Sequence, residues 1–150
     1  MKTGIFIGRF QPVHHGHIHA LGVAASQVNK LYILVGSANA CRSIKNPWTF
    51  DERKQMLALK LHAERITNYE IIPLNDYRYS DTQWMSDVRA TIEHYNMGSP
   101  ILFGHMKEGN DYLKWFPELK FKSIESVYRV NATQIREEMF LKAYPGITYD

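Results

Sequence analysis

The chain has 150 residues, 45% hydrophobic and 22% charged, a balance that fills one packed core and excludes a disordered chain. Lys and Arg total 18 against 15 Asp and Glu, a formal net charge of +3. That excludes a dedicated nucleic-acid coat, although a local cluster of cations can still hold a phosphate. Cys41 is the single cysteine, so an intramolecular disulfide framework and a cysteine-rich zinc site are both excluded. No run approaches the ~20 apolar residues that span a bilayer. The first residues lack a long signal-peptide core, so no membrane partner and a cytoplasmic location are expected.

In chain order, short apolar runs alternate with longer amphipathic ones. Ile5-Phe6-Ile7 closes at Gly8 and reads as a first strand. Residues His17 to Val28 place Ile18, Leu21, Ala25 and Val28 on one helical face. Leu31 to Val35 closes at Gly36 as a second strand, and Asp51 to Ala63 follows as a helix with Met56, Leu57, Leu59 and Leu61. Tyr69 to Ile72 closes at Pro73, Thr82 to Tyr95 is helical, and Ile101-Leu102-Phe103 closes at Gly104. Ser123 to Val130 is the candidate fifth strand, and Ala132 to Lys142 the last helix. Strands alternating with helices predict an α/β fold with a parallel sheet of about five strands. Its ligand is expected at the carboxyl ends of those strands, near Gly8, Gly36 and Gly104.

The most informative stretch is Gly8-Arg9-Phe10-Gln11-Pro12-Val13-His14-His15-Gly16-His17, between the first strand and the first helix. A helix start carries unpaired N–H groups and partial positive charge, and so attracts anions. Gly16 allows a bulky ligand close approach. His14 and His17, three apart, turn both imidazoles toward one point. Imidazole N–H groups aimed at a phosphate stabilise charge that builds during phosphoryl or nucleotidyl transfer.

The run His14-X-Gly16-His17 after a strand resembles the signature of the adenylyl- and cytidylyltransferase superfamily, which has a Rossmann-like fold. Gly8-Arg9-Phe10-Gln11-Pro12 narrows the resemblance to the nicotinamide mononucleotide (NMN) adenylyltransferases. These are the archaeal type and the adenylyltransferase half of bacterial bifunctional enzymes with a Nudix domain. Gly36-Ser37-Ala38, Lys45-Asn46-Pro47-Trp48-Thr49 and Glu52-Arg53 are similar to the family's second-strand region. Asn75-Asp76-Tyr77 with Trp84 is similar to its nicotinamide-side loop. Gly104-His105-Met106-Lys107, Tyr112-Leu113 and Phe116-Pro117 are similar to the bifunctional branch. Asn131 to Arg136 matches the C-terminal motif, with Asn131-Ala132 a slight departure. The resemblance covers roughly residues 4 to 141. No Nudix box is found, so residues 1–150 are expected to form a single nucleotidyltransferase domain with no Nudix domain.

The resemblance implies that ATP and NMN react to NAD and pyrophosphate, with Mg²⁺ accompanying ATP. It assigns His14, His17, Lys45 and Arg136 to the triphosphate and catalysis. Gly8, Arg9, Phe10 and Thr133 are expected along the nucleotide, and Gly104 and His105 near adenine or ribose. Trp84 would stack on the pyridinium, a cation-over-indole contact of ~0.5–2 kcal/mol, and Asp76 would meet the carboxamide. No resident metal is assigned, no nucleic acid is expected as a partner, and homo-oligomer formation is left open.

Blander readings compete. Trp84 on an amphipathic helix is also a core residue, Asp76 also a turn former, and Lys45 also a solvated loop lysine. Arg53 is read as a brace of the second helix, Cys41 as a passive loop thiol, and Tyr112, Trp115 and Phe116 as core. Zinc on His14, His15, His17 and His19 is disfavoured, since no cysteine or carboxylate lies nearby. The rival functions are adenylyl transfer to nicotinic acid mononucleotide or phosphopantetheine, and a non-catalytic nucleotide-sensing module.

Overall fold

A computed structural model describes residues 1–77, 80–104, 115–125 and 132–143. The elements run β1 (Thr3–Gly8), α1 (His15–Ser26), β2 (Lys30–Val35), α2 (Phe50–Ala63), β3 (Tyr69–Pro73), α3 (Asp81–His94), β4 (Ile101–Gly104), β5 (Phe121–Ser123) and α4 (Ala132–Ala143). All strand pairings are parallel, and the sheet order is β3-β2-β1-β4-β5. The α/β class and the five-stranded parallel sheet expected from the sequence are both present.

Both faces of the sheet are covered, which is why its strands read as continuous apolar runs. Alternation along β2 sends Leu31, Ile33 and Val35 to one face and Tyr32 and Leu34 to the other, and all five are buried. The first set packs with Phe6 and Phe103 against Ala20, Leu21, Ala24 and Ala25 of α1 and Leu57 and Leu61 of α2. The second packs with Ile5, Ile72 and Leu102 against Val88 of α3 and against Phe116. Close packing at the centre requires Gly4 in β1, because a Cβ there would stand 2.6 Å from Cε2 of Phe103.

Local signals set the helix ends. Thr49 and Glu52 form a reciprocal capping box at the start of α2, and the Ser80 hydroxyl accepts from the Gln83 N–H (3.1 Å) at the start of α3. Asn96, with φ 51°, turns the chain out of α3 in the left-handed region that Asn tolerates.

Two boundaries differ from the sequence reading. Helix α1 starts at His15 instead of His17, because the His14 ring serves as its N-cap. The fifth strand is Phe121–Ser123 instead of Ser123 to Val130: β4 is short, and its pairing runs from Leu102↔Phe121 to Gly104↔Ser123. Residues 126–130 lie outside the described residues. Leu59 is 73% exposed, so the buried face of α2 is Arg53, Leu57 and Leu61. Among the described residues no helix is long and apolar enough to cross a membrane.

The chain order places β2 and β3 on one side of β1 and β4 and β5 on the other. Ligands of parallel sheets gather at such a switch point, beyond the carboxyl ends of the strands. Here that is the edge formed by Gly8 and Gly104.

Gly4→Ala should lower stability by about 1–3 kcal/mol, the usual range for overpacking a core, because the ring it meets is itself fully buried. Urea unfolding followed by circular dichroism measures this.

Candidate active site

The loop from Arg9 to His14 joins the switch point to α1. Phe10 has φ 53° and a ring that is 1% exposed, lying against Gly8, where a Cβ would come within 2.9 Å of it. Glycine is therefore required at position 8 for the loop to fold back on itself. The Phe10 ring also meets His17 edge-on, with centroids 4.7 Å apart. The ring thus supports His17 from within the core.

His14 and His17 cap α1 reciprocally. The His17 N–H donates to His14 Nδ1 (3.4 Å), and the His14 N–H donates to His17 Nδ1 (3.2 Å). The rings stack, with centroids 3.7 Å apart and planes 21° apart. Each Nδ1 accepts a backbone proton, so in the neutral imidazole the ring proton sits on Nε2, on the opposite side of the ring. The pair is thus two oriented N–H donors at a helix N-terminus, a combination that suits an anion. His15 is exposed and His19 half-buried. Among the described residues no group of three or more His, Cys, Asp or Glu is arranged to hold a metal ion.

Arg53 holds the surrounding loops together. It is 1% exposed, and its Nη1 donates to the carbonyls of Arg9 (2.7 Å) and Gly36 (2.6 Å). Its Nη2 and Nε donate to Ser37 and Thr49 carbonyls, each at 3.2 Å. Burial pushes its pKa down from the ordinary value and the charge on Arg9 adds to this, while Asp76 acts in the opposite sense. A guanidinium nevertheless stays charged at neutral pH. The reading of Arg53 as a brace holds, and the brace reaches well beyond its own helix.

Gln11, also 1% exposed, extends the same scaffold. Its amide donates to the Trp48 carbonyl (3.0 Å) and accepts from the Trp48 N–H (3.1 Å), clamping the first loop to the start of α2. Lys60, two turns beyond Arg53 on α2, donates to the Val13 carbonyl (3.1 Å). The sequence reading assigned no role to Gln11 or Lys60. The seven-residue spacing of Arg53 and Lys60, which puts both cations on one helix face, is the signal that could have found Lys60.

Arg136 comes to the loop from the far end of the chain. Its Nη1 donates to the Gln11 carbonyl (2.7 Å) and its Nη2 to the Thr133 hydroxyl (3.3 Å). It lies one turn inside α4 instead of at the helix start. The structure therefore brings Gly8, Arg9, His14, His17, Thr133 and Arg136 into one neighbourhood. Arg9 is exposed and donates to the Asn46 side chain, and Lys45 is exposed on the adjoining loop. Gly104 ends β4, buried, and its carbonyl accepts from the Ile124 N–H (2.8 Å). His105, Tyr112 and Asn131 lie outside the described residues.

On the other side, Asp76 is exposed and anchored. Its carboxylate accepts from the buried Ser37 hydroxyl, and its backbone exchanges two hydrogen bonds with the Asn39 amide (3.0 and 3.2 Å). Trp84 is half-buried and packs against Trp115 (5.5 Å) and Phe116 (5.9 Å). The core role weighed for Trp84 is therefore present, and Trp115 and Phe116 are core as expected. Cys41 is an exposed thiol.

A family model described as cytidylyltransferase-like matches residues 5–138. The chain belongs to this family. The nicotinamide-nucleotide adenylyltransferase of Thermococcus onnurineus is 40% identical over 92% of this chain and 72% of its own length. The nicotinamide/nicotinic acid mononucleotide adenylyltransferase of Acinetobacter baylyi is 34% identical over 91% of this chain and 74% of its own. Among solved structures, a bifunctional NMN adenylyltransferase/ADP ribose pyrophosphatase from Francisella tularensis superposes with a TM-score of 0.87 at 33% identity. It covers 94% of this chain, which spans only 42% of that longer one. A second structure of the Francisella enzyme, complexed with AMP and a manganese ion, gives a TM-score of 0.83 at 33% identity, over 99% of this chain and 43% of that one. Within the cytidylyltransferase-like family, the chain is thus a nucleotidyltransferase of the NMN adenylyltransferase group, as its motifs implied.

Arg53→Met leaves several buried carbonyls without a donor and should cost about 3 kcal/mol of stability, the scale of losing hydrogen bonds to a charged group; equilibrium unfolding in urea tests this. Glu52 provides a pH-dependent term. The Thr49 N–H (2.9 Å) and then the Arg42 guanidinium (2.8 Å) hold its carboxyl below the ordinary 4.5. A carboxyl depressed on folding stabilises the fold above its unfolded pKa, and that stabilisation is lost as pH falls through the folded value. Glu52→Gln should therefore narrow the stability difference between about pH 7 and about pH 3, as measured by unfolding at both.

Proposed function

We propose that the chain forms one adenylyltransferase domain that transfers AMP from ATP to NMN, giving NAD and pyrophosphate. The observation that carries this reading is the stacked His14–His17 pair, each Nδ1 accepting a backbone N–H, at the start of α1 and beside the sheet's switch point. The names of the relatives support the same substrates. The Acinetobacter enzyme's name also includes the acid form of the acceptor, so nicotinic acid mononucleotide is the alternative acceptor to compare.

An oxygen of the NMN phosphate attacks the α-phosphorus of ATP in line; the P–O bond to the β-phosphate breaks, and pyrophosphate departs with the electron pair. The nucleophile is already an anion, since a phosphate monoester loses its second proton near about pH 6. No general base is needed. The protein has to bring two anions together and oppose the charge that accumulates on the transferring and leaving groups. His14 and His17 donate to the triphosphate through Nε2. Arg136 has spent one Nη1 and one Nη2 proton within the protein and keeps a second on each for phosphate oxygens. Arg9 and Lys45, both exposed, supply further positive charge. The divalent ion, Mg²⁺ in this reading, enters as part of the substrate, MgATP. Asp76, fixed by Ser37 and Asn39, is the acceptor-side group for the carboxamide, and Trp84 of α3 the aromatic face proposed for the pyridinium. Gly104 and His105 take the adenosine side, and the cytoplasm is the proposed location.

A coupled assay for NAD formed from ATP, NMN and Mg²⁺ tests the reaction, with nicotinic acid mononucleotide and phosphopantetheine as competing acceptors. Turnover of phosphopantetheine without NAD formation would overturn the substrate assignment. His17→Ala should lower kcat at least about tenfold with a modest change in the KM for ATP, the pattern of a group that acts on developing charge.

A further inference from the structure

The ammonium of Lys60 lies on the outer side of the peptide unit that the histidine pair uses. That unit consists of the Val13 carbonyl and the His14 N–H. The Lys60 Nζ donates to its oxygen (3.1 Å), and its N–H donates to His17 Nδ1 (3.2 Å). A trans peptide points these two groups in opposite directions. The three groups therefore form one line: ammonium, amide, imidazole. A cation on the carbonyl oxygen polarises the amide and strengthens its N–H as a donor, because hydrogen bonds in a chain reinforce each other.

We propose that Lys60 is a positioning residue for the transfer reaction, acting through the 13–14 peptide to hold the His17 proton on Nε2. This rests on the reading that His17 meets the ATP phosphates. Two features separate it from an ordinary surface lysine. Lys60 shares a helix face with Arg53, which makes the equivalent bond to the Arg9 carbonyl of the same loop. In addition, its acceptor is the carbonyl directly preceding the N-cap of α1, where a shift of the peptide plane would turn both rings. Without the ammonium, the amide is a weaker donor, the His17 ring is held less firmly, and part of its population carries the proton on Nδ1. That fraction presents a lone pair instead of a donor toward the phosphate.

The test compares the wild type with Lys60→Met, which keeps an unbranched stem one atom shorter and removes the charge, and with Lys60→Arg, which restores a donor. Two measurements are made. The first is a long-range ¹⁵N–¹H correlation spectrum of the imidazoles above about pH 8, where histidine is neutral, which assigns the proton of His17 to one ring nitrogen. The second is steady-state NAD formation. We expect a wild-type His17 protonated on Nε2 and a mixed tautomer in Lys60→Met. We also expect kcat lowered roughly fivefold to tenfold by loss of one charge-assisted bond, with the KM for ATP changed by less than about twofold, and Lys60→Arg close to wild type in both. A Lys60→Met spectrum identical to wild type at His17, or a Lys60→Arg enzyme no better than Lys60→Met, would overturn the proposal. If no variant makes NAD, the reaction assignment is at fault, and the His17 spectra alone decide the relay.

Discussion

The carbonyl oxygens of Arg9, Gln11 and Val13 alternate along the loop between β1 and α1, and each accepts from a cation supplied by another part of the chain. Arg53 reaches the first, Arg136 the second and Lys60 the third. In the proposed reaction this loop has to keep its carbonyl dipoles away from the phosphates and its donors toward them. Tying alternate carbonyls to guanidinium and ammonium groups achieves both, since it compensates their negative ends and adds positive potential beneath the loop. The Gln11–Trp48 clamp and the packing of Phe10 under Gly8 hold the same short segment in register. The arrangement of the site depends on these bonds more than on any single group that faces the ligand.

The proposed chemistry suits a site that, among the described residues, gathers cations and imidazoles. Transfer between two polyanions is limited by repulsion and by charge on the leaving group, and both are relieved by fixed donors. An imidazole whose Nδ1 is already engaged by backbone is a directed donor, and it does not need to titrate to function. Arg53 is costly to bury, and its position is tolerated because four carbonyls from three segments share its protons. The same buried charge makes α2 a rigid partner of the first loop and gives Lys60 a fixed base from which to reach Val13.

Much of this was legible before any coordinates. Glycine or proline at the end of each apolar run located the first four strands within a residue or two, because a buried parallel strand has to be apolar throughout and then stop. The His14-X-Gly16-His17 spacing predicted a helix N-terminus with two imidazoles on one side, and the reciprocal capping is the detailed form of that reading. Arg53 could be read as a brace from its place near the start of the second helix, although its four acceptors could not be listed. The fifth strand was misplaced because a three-residue edge strand carries little pattern of its own: the partner's register decides where pairing occurs, and that partner is β4. Trp84 illustrates the other limit. Its helical position was clear, yet its packing against Trp115 and Phe116 depends on how α3 and the segment after β4 meet on the sheet.

By itself, the sequence determined the order of elements, the parallel sheet and the family, since all of these follow from local periodicity, short-range spacing and contiguous motifs. Tertiary structure alone decided which cation meets which carbonyl. Residues 11 and 136, or 13 and 60, become neighbours only when the sheet order and the helix crossings are set. A hydrogen bond depends on distance and angle, and between segments that distant no pattern along the chain specifies either one.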